Sequence, residues 1–332
     1  MIVFGGIVNG ERVNELASFD LDARVWRRLV PGKPSVDAKV KLFPSPIIAA
    51  TAPAPRAFHV AWVFGDDVYI HGGEGPTGGA RASAGDPDLD GILGSVGRDP
   101  FAEEDGGAPL HPKRIVMVTA AGNGAAPPLQ PVSRDPERRS SVSVLEDLWR
   151  LNSRTLCWER LSSRLAPLGR KGHTASVVPL RGQPCVLVFG GAPAGRRGLS
   201  NALYSIDVGL LSVGQGTWER HQPSGSAPAP RQGHSLTAVG GGKRMVLFGG
   251  MAENGDLLGD IQERMKDIDG GNLSWASIQA PVGELPAARH GHSACELATT
   301  AGYTAGVCRG GVLVFGGREG ERKGGNPVYV FP

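Results

Sequence analysis

A doubled glycine that ends a short apolar run occurs five times in this chain of 332 residues, and this feature constrains the fold most. A run of β-branched and aromatic residues is typical of a buried strand. A glycine pair after it is typical of a tight turn that needs positive φ or a close backbone approach. Five such units in one chain indicate an internal repeat. The doublets are Gly5-Gly6, Gly72-Gly73, Gly190-Gly191, Gly249-Gly250 and Gly316-Gly317.

Two further positions recur in register with the doublets. The motif Arg-x-x-His precedes each of the last four, and a tryptophan follows each of the first four. One unit therefore predicts four short strands, of which the second ends in Gly-Gly and the fourth carries tryptophan. The motifs are Arg56–His59, Arg170–His173, Arg231–His234 and Arg289–His292, and the tryptophans are Trp26, Trp158, Trp218 and Trp275.

This ordered set resembles the kelch repeat, and a unit of roughly 50 residues fits its period. The resemblance implies an all-β, kelch-type β-propeller of four-stranded antiparallel blades, similar to the central domain of galactose oxidase. It covers nearly the whole chain, as about five recognisable repeats with incomplete first and last units. The repeats are expected at about 1–30, 55–161, 170–221, 231–278 and 289–331.

The two ends of the chain do not add up to one blade. The first repeat begins at its second strand, and the last repeat lacks the strand with tryptophan. Terminal repeats are atypical in any array. The sequence therefore leaves open an irregular or open ring of five units, or a piece of a longer protein, and we favour the second.

Residues 74–144 form a long insertion in the second repeat, rich in Gly, Ala, Pro, Asp and Arg. Such a composition cannot bury enough apolar surface to offset ordering of the backbone, so we expect a disordered segment. Within it only 115–118 has the pattern of a strand, which would add an edge strand or close a blade. The insertion is either an arm or lid for a partner, or an expansion that costs the fold little.

The antiparallel strand order places the loops after the doublets and the Arg-x-x-His motifs at the same end of the propeller. Guanidinium groups around such a face can hold carboxylates or phosphates through paired hydrogen bonds. For the motif arginines, their fixed repeat position also supports a structural role against a neighbouring blade. The candidate partner-binding residues are Arg196, Arg197, Arg318, Arg322, Arg56, Arg170, Arg231 and Arg289.

Bulk properties exclude several functions. A net charge of +3 spread over the chain is too weak to indicate a nucleic-acid surface. No apolar stretch has the length needed to cross a bilayer, and the first residues do not form a signal peptide. The four cysteines have no C-x-x-C spacing, which is typical of buried thiols in a reducing compartment. We therefore expect a cytoplasmic or nuclear protein.

Catalytic and metal sites are not indicated by the pattern. Four of the eight histidines occupy the repeat position, which favours packing over metal ligation. His290 and His292 would form a feasible metal pair, but a third ligand is lacking nearby. The resemblance to galactose oxidase does not extend to its copper ligands. No catalytic residue, metal or cofactor is expected, and the repeat tryptophans are expected to pack one blade against the next.

The resulting expectation is a non-enzymatic scaffold that binds a protein partner, in particular an acidic or phosphorylated segment, on the loop face. The resemblance implies the interaction role, and the arginines suggest the partner chemistry. Two alternatives stay open. The chain can be the regulatory kelch region of a larger phosphatase or RNA-modifying enzyme, or a metal-dependent or ligand-binding propeller. The sequence gives no indication of an oligomeric state.

Overall fold

The computed structural model describes residues 1–32, 52–76, 117–118, 142–266, 273–277, 286–297, 311–320 and 328–331. Almost all of the regular structure is antiparallel strand, arranged in five successive sheets that we name blades I to V. The described residues contain one helix, α1 (Val208–Ser212), in the third blade. No helix in these ranges is long and apolar enough to cross a membrane.

The main strands of each blade form an up-and-down sheet and pair in sequence order. Blade I has β1 (Ile2–Val8), β2 (Glu11–Asp20) and β3 (Val25–Leu29), and blade II has β4 (Val60–Phe64), β5 (Asp67–His71), β9 (Leu148–Asn152) and β10 (Cys157–Leu161). Blade III has β12 (Thr174–Leu180), β13 (Gln183–Phe189), β15 (Leu203–Asp207) and β16 (Glu219–His221), and blade IV has β18 (Ser235–Val239), β19 (Arg244–Phe248), β20 (Ile261–Lys266) and β21 (Leu273–Ser277). Blade V has β22 (Ser293–Glu296), β23 (Val312–Phe315) and β24 (Val328–Phe331).

Short strands connect the blades to their loops. The loop of blade II leaves through β6 (Glu74–Pro76) and returns through β8 (Val142–Val144), and these two strands pair with each other. In blade III, β11 (Arg170–Lys171) pairs with β14 (Ala192–Pro193). The link before blade IV contains β17 (Ser224–Gly225), which runs parallel to β21 and covers the outer edge of that blade. Covering an edge in this way blocks unwanted strand pairing.

The predicted insertion contributes a strand to blade I. Two of its residues form β7 (Met117–Val118), which pairs in parallel with β1 through Ile2 and Val3. The first strands of consecutive blades, β4, β12, β18 and β22, contact one another in turn, and β7 contacts β4 in the same line. Part of the strand expected at 115–118 therefore lies in the innermost position of blade I. Residues 77–116 and 119–141, the rest of the expected insertion, lie outside the described residues.

Among the described residues, the core consists of four apolar clusters, one between each pair of consecutive blades. Strand β13 shows how this arises from the strand period of two. Its Val186 and Val188 pack against blade II, whereas Leu187 and Phe189 pack against blade IV. Both faces of the strand are buried, so its sequence is a continuous apolar run. These cores fix the blades that hold the loops.

Candidate interaction face

One backbone hydrogen bond recurs where consecutive blades meet. The N–H of the second glycine of each doublet donates to the carbonyl oxygen of the motif arginine in the next blade. The four bonds are Gly6 to Arg56, Gly73 to Arg170, Gly191 to Arg231 and Gly250 to Arg289, each at 2.8 Å. The repeated residues of the sequence therefore meet in space at the junctions between blades.

The first glycine of each doublet is required by this close approach. In the first four doublets its φ lies between +65° and +72°, a region that other residues rarely adopt. A Cβ there would lie 2.5–2.9 Å from the carbonyl oxygen of the next motif arginine and 2.7–3.1 Å from the ring of the next motif histidine. In the fifth doublet, a Cβ on Gly316 would meet no described atom within 4 Å. The steric demand thus comes from the following blade.

The four motif arginines are buried, with only 0–2% of each residue exposed. In each, Nη1 donates to the carbonyl oxygen of the first glycine of its own blade, at 2.8–3.1 Å. Their proposed role as partner-binding residues is therefore wrong for the folded chain, because these guanidiniums do not reach the surface. The motif arginines instead have the structural role that their fixed repeat position also indicated. The four are Arg56, Arg170, Arg231 and Arg289.

Carboxylates neutralise three of these buried charges. Asp147 accepts from both Nη atoms of Arg56 at 2.7 and 2.8 Å, and Asp260 does the same for Arg231. Such paired bonds are strong and fix the geometry of both groups. Burial raises the pKa of Asp147, but the hydrogen bonds from Arg56 and Trp149, together with the charges of Arg56 and Arg160, outweigh it and hold that pKa below its usual value. In blade V, Glu319 binds Arg289.

Blade III departs from this arrangement. Ala202 occupies the position of Asp147 and Asp260, directly before the third strand. The guanidinium carbon of Arg170 instead lies 5.0 Å from the ring centre of Tyr204. No carboxylate among the described residues pairs with Arg170. Burial accordingly lowers the pKa of this arginine.

The motif histidines pack edge-on or tilted against an aromatic ring that precedes the doublet of the previous blade. The pairs are Phe4 with His59 at 5.7 Å, His71 with His173 at 5.2 Å, Phe189 with His234 at 5.3 Å and Phe248 with His292 at 5.2 Å. Burial, followed by the neighbouring arginine, lowers the pKa of His59 and His234 to about 3 and that of His292 to about 4. These rings are therefore neutral at pH 7.

Three repeat tryptophans pack against the ring that directly precedes the doublet of the previous blade. Trp158 lies 5.0 Å from Phe4, Trp218 lies 5.7 Å from His71, and Trp275 lies 5.2 Å from Phe189. Trp26 is different, because it is 56% exposed and contacts Phe19 of its own blade. The expectation that it packs against another blade is wrong for the described residues, in which no blade precedes blade I.

The histidine pair considered for metal binding is divided between two environments. His292 is buried, and its Nε2 lies 2.9 Å from the Ser235 hydroxyl. His290 is half-buried, and burial followed by the charge of Arg318 lowers its pKa. In the described ranges, no three His, Cys, Asp or Glu side chains are grouped so as to hold a metal ion.

A chain of backbone hydrogen bonds marks the inner edge of the loop face. Gly172 N–H donates to Phe58 O at 2.9 Å, Gly233 N–H to Gly172 O at 2.8 Å, and Gly291 N–H to Gly233 O at 2.7 Å. These four residues are the third residues of the Arg-x-x-His motifs, and we call them the rim. The innermost strands of blades II to V begin just after the rim, so it lies at the inner ends of these blades on the loop face.

The rim is accompanied by one buried acidic group. The Glu74 carboxylate binds Arg12 of blade I and, at 2.5 Å, the ammonium of Lys171 in blade III. Burial raises the pKa of Glu74, but the hydrogen bonds from Lys171 and Arg12 outweigh it and lower that pKa. This cluster of Arg12, Glu74 and Lys171 links three blades and carries one net positive charge.

The loops that surround the rim carry the remaining candidates. Arg196 and Arg197 are exposed in the loop between β14 and β15, and Arg318 is exposed after the last doublet. The backbone of Arg318 pairs with that of His290 at 2.9 and 3.2 Å. Arg322 lies outside the described residues. The structure thus places three of the eight candidate arginines on one accessible face.

Sequence reasoning missed the buried acids and one rim residue. Asp147 and Asp260 lie directly before the third strand of their blades, so their common offset from the repeat was a usable signal. Glu319 comes from a loop and had no such signal. Phe58 stands at a motif position that is glycine in the other three repeats. That difference was visible in the sequence.

The blades and their junctions define a propeller built from repeats. One of its faces carries the exposed arginines on loops that backbone hydrogen bonds hold in place. The chain belongs to the kelch-repeat family, because residues 137–312, more than half of it, match the family described as the KLHDC2/KLHL20/DRC7 Kelch-repeats domain. The solved structure of YjhT matches 95% of this chain and 71% of that chain, with a TM-score of 0.51 and 15% identity. The predicted kelch-type propeller fold is therefore confirmed.

Longer proteins are similar to parts of this chain. Putative adagio-like protein 2 of Oryza sativa subsp. japonica is 38% identical over 143 residues, which are 43% of this chain and 20% of that protein. Acyl-CoA-binding domain-containing protein 4 of Arabidopsis thaliana is 24% identical over 298 residues, 88% of this chain and 38% of that protein. The chain thus spans well under half the length of these relatives. Kelch repeats generally mediate protein–protein interaction and are typically non-enzymatic.

We expect Ala202→Asp to stabilise the chain by about 1–2 kcal/mol, since a charged hydrogen bond to Arg170 would replace contact with an aromatic ring. Urea unfolding at pH 7 measures the change. Ala202→Asn is the control, because it adds similar volume without charge. A free energy of unfolding for Ala202→Asp at or below that of the asparagine variant would contradict the expectation.

Gly72→Ala should destabilise the chain much more than Gly65→Ala. Both glycines have positive φ, of +66° and +60°, but only Gly72 faces the next blade, where a Cβ would lie 2.5 Å from Arg170 O. Backbone strain alone costs about 1 kcal/mol, and the clash adds roughly 1–3 kcal/mol. Thermal and urea unfolding of both variants measure the difference. Equal losses of stability in the two variants would show that the junction does not require a residue without a Cβ at position 72.

His71→Phe should reduce the acid sensitivity of the fold. Burial, followed by Arg170, lowers the pKa of His71 from 6.5 to about 3. Below pH 6.5 the unfolded chain therefore takes up the proton first, and stability is lost as pH falls towards 3. At pH 5 this amounts to about 2 kcal/mol for one buried histidine.

The free energy of unfolding at pH 7.5 and pH 5 tests this expectation. The decrease between the two pH values should be smaller in His71→Phe than in the wild type by the amount given above. Phe189→His is the reverse change at the equivalent junction and should enlarge the decrease. The same pH dependence in all three chains would refute the assignment.

Proposed function

We propose that this chain is a non-enzymatic interaction module that binds an acidic or phosphorylated segment of a partner protein on the face that carries the rim. The observation that supports this most is the division of the arginines into two sets. The motif arginines are buried inside the blades, whereas Arg196, Arg197 and Arg318 are exposed on one face. In the described part of the chain none of these three has an ion pair.

The exposed arginines are carried by anchored loops. The loop with Arg196 and Arg197 is held at one end by the bond from Ala194 N–H to Gly169 O, at 2.6 Å, and at the other by Ser200 N–H to Gly191 O, at 2.9 Å. Loops fixed at both ends lose less conformational entropy when a partner binds. The guanidiniums can thus offer paired donors to carboxylates or phosphates from defined positions.

The relatives support a second candidate, in which this propeller is the regulatory kelch region of a larger enzyme. The chain spans 20% and 38% of two relatives, so such a region commonly accompanies other domains. The interaction face would then serve a neighbouring domain or its substrate protein. We also propose a cytoplasmic or nuclear location, on the basis of the cysteine pattern, which cell fractionation tests.

The triple variant Arg196→Glu, Arg197→Glu and Arg318→Glu should lose its partner and stay folded. We expect recovery of the partner from native lysate, measured by quantitative mass spectrometry, to fall roughly tenfold, equivalent to about 1.4 kcal/mol. Circular dichroism should be unchanged because the reversed side chains are exposed. Elemental analysis of the same protein tests the metal-dependent alternative, for which stoichiometric metal is expected.

A matched control places the same charge change on the opposite face. Arg24, Arg181 and Lys243 are exposed in turns between strands at that end of blades I, III and IV. Reversal of these three charges should leave recovery of the partner unchanged. Because Arg181 pairs with Glu219, circular dichroism must also show that this variant stays folded. An equal loss in both triple variants would point to net charge alone, and unchanged recovery in the first variant would refute the proposed face.

A further inference from the structure

Phe58 occupies a backbone conformation that suits glycine. Its φ is +57°, and the equivalent rim residues Gly172, Gly233 and Gly291 have φ of +65°, +66° and +68°. A bulky residue in this region is strained, because its Cβ approaches the backbone. The rim imposes the conformation, since the carbonyl oxygen of Phe58 accepts the first bond of the rim from Gly172.

The apolar core between the blades does not include Phe58. The flanking residues Ala57 and His59 are buried, but Phe58 itself is half-buried. It belongs to none of the four apolar clusters between blades, and it contacts no other aromatic ring in the described ranges. Strained residues that the core does not require are typical of functional sites.

The repeat indicates what lies beside the Phe58 ring. A Cβ on Gly172 would lie 3.2 Å from Gln232 Cβ, and one on Gly233 would lie 3.4 Å from His290 Cβ. Side chains at this position therefore point towards the second motif residue of the next blade. For Phe58 that residue is Lys171, which belongs to the positively charged cluster with Arg12 and Glu74.

An apolar group next to positive charge defines the chemistry that fits. We propose that Phe58 is the apolar anchor of the interaction face and contacts an aliphatic or aromatic side chain within an acidic segment of the partner. The acidic residues on either side of that side chain would be held by Arg196, Arg197 and Arg318. This inference rests on the proposed function. Aromatic residues of this kind commonly dominate the binding energy of an interface.

Phe58→Gly separates an anchor from a structural residue, because the two roles predict opposite effects. If Phe58 is an anchor, glycine removes the strain and matches the other three motifs, so the melting temperature should be unchanged or higher. Binding should weaken at least tenfold. The probe is a fluorescent peptide with a single leucine between three acidic residues on each side, followed by fluorescence polarisation at low ionic strength.

Two comparisons make the test specific. A peptide with alanine in place of leucine should bind the wild type as weakly as the leucine peptide binds Phe58→Gly. Leu165→Gly is the matched protein control, since Leu165 also has positive φ, at +53°, and is 78% exposed on a link away from the rim. It should not affect binding, and Phe58→Tyr should retain it.

Each remaining outcome decides against the anchor. A lower melting temperature for Phe58→Gly would show a structural role, and undiminished binding of the leucine peptide would show that the ring is not in contact. No binding of that peptide by the wild type also overturns the inference. If binding is lost on reversal of the three arginines but kept in Phe58→Gly, the proposed function stands and only the anchor fails.

Discussion

The hydrogen bond from the second glycine of each doublet to the carbonyl oxygen of the next motif arginine is the contact on which the rest of the structure depends. At 2.8 Å it brings the backbones of two blades so close that no side chain fits between them. The first glycine must then lack a Cβ, because a carbonyl oxygen and a histidine ring occupy that space. The histidine ring is neutral because it is buried, and each motif arginine donates to the carbonyl oxygen of the first glycine in its own blade.

This contact also explains how the blades share their stability. Each apolar cluster is formed by two consecutive blades, and the alternating side chains of a strand such as β13 divide between two clusters. The apolar contacts that stabilise the blades are therefore made between neighbouring blades. His71 is a departure at one junction, whereas Ala202 is a departure inside blade III, where it changes the surroundings of Arg170. Repeats tolerate such departures because no single core has to absorb them.

The fold could be predicted from the sequence, since Gly-Gly, Arg-x-x-His and tryptophan recur in one order and identify both strands and turns. The role of the motif arginines could not be predicted in this way. Recurrence marked them as either structural or functional, but the carboxylate that binds Arg56 lies 91 residues away along the chain. Only the folded blade II brings Arg56 and the carboxylate of Asp147 together. Trp26 shows the same limit, because its burial depends on a neighbouring blade and not on its own repeat.

Departures from the repeat are therefore the most informative residues, provided that their surroundings are known. His71 departs from the pattern at a junction, where it packs against the ring of His173, and Ala202 departs from it inside blade III, where Arg170 lies over the ring of Tyr204, so both are expected to affect stability. Phe58 departs from it at the rim, where the backbone is strained and the ring lies outside the four apolar clusters. A residue kept against its local preference, at an accessible position, is better explained by binding than by folding. The same logic separates the buried arginines, which repeat, from the exposed ones, which do not.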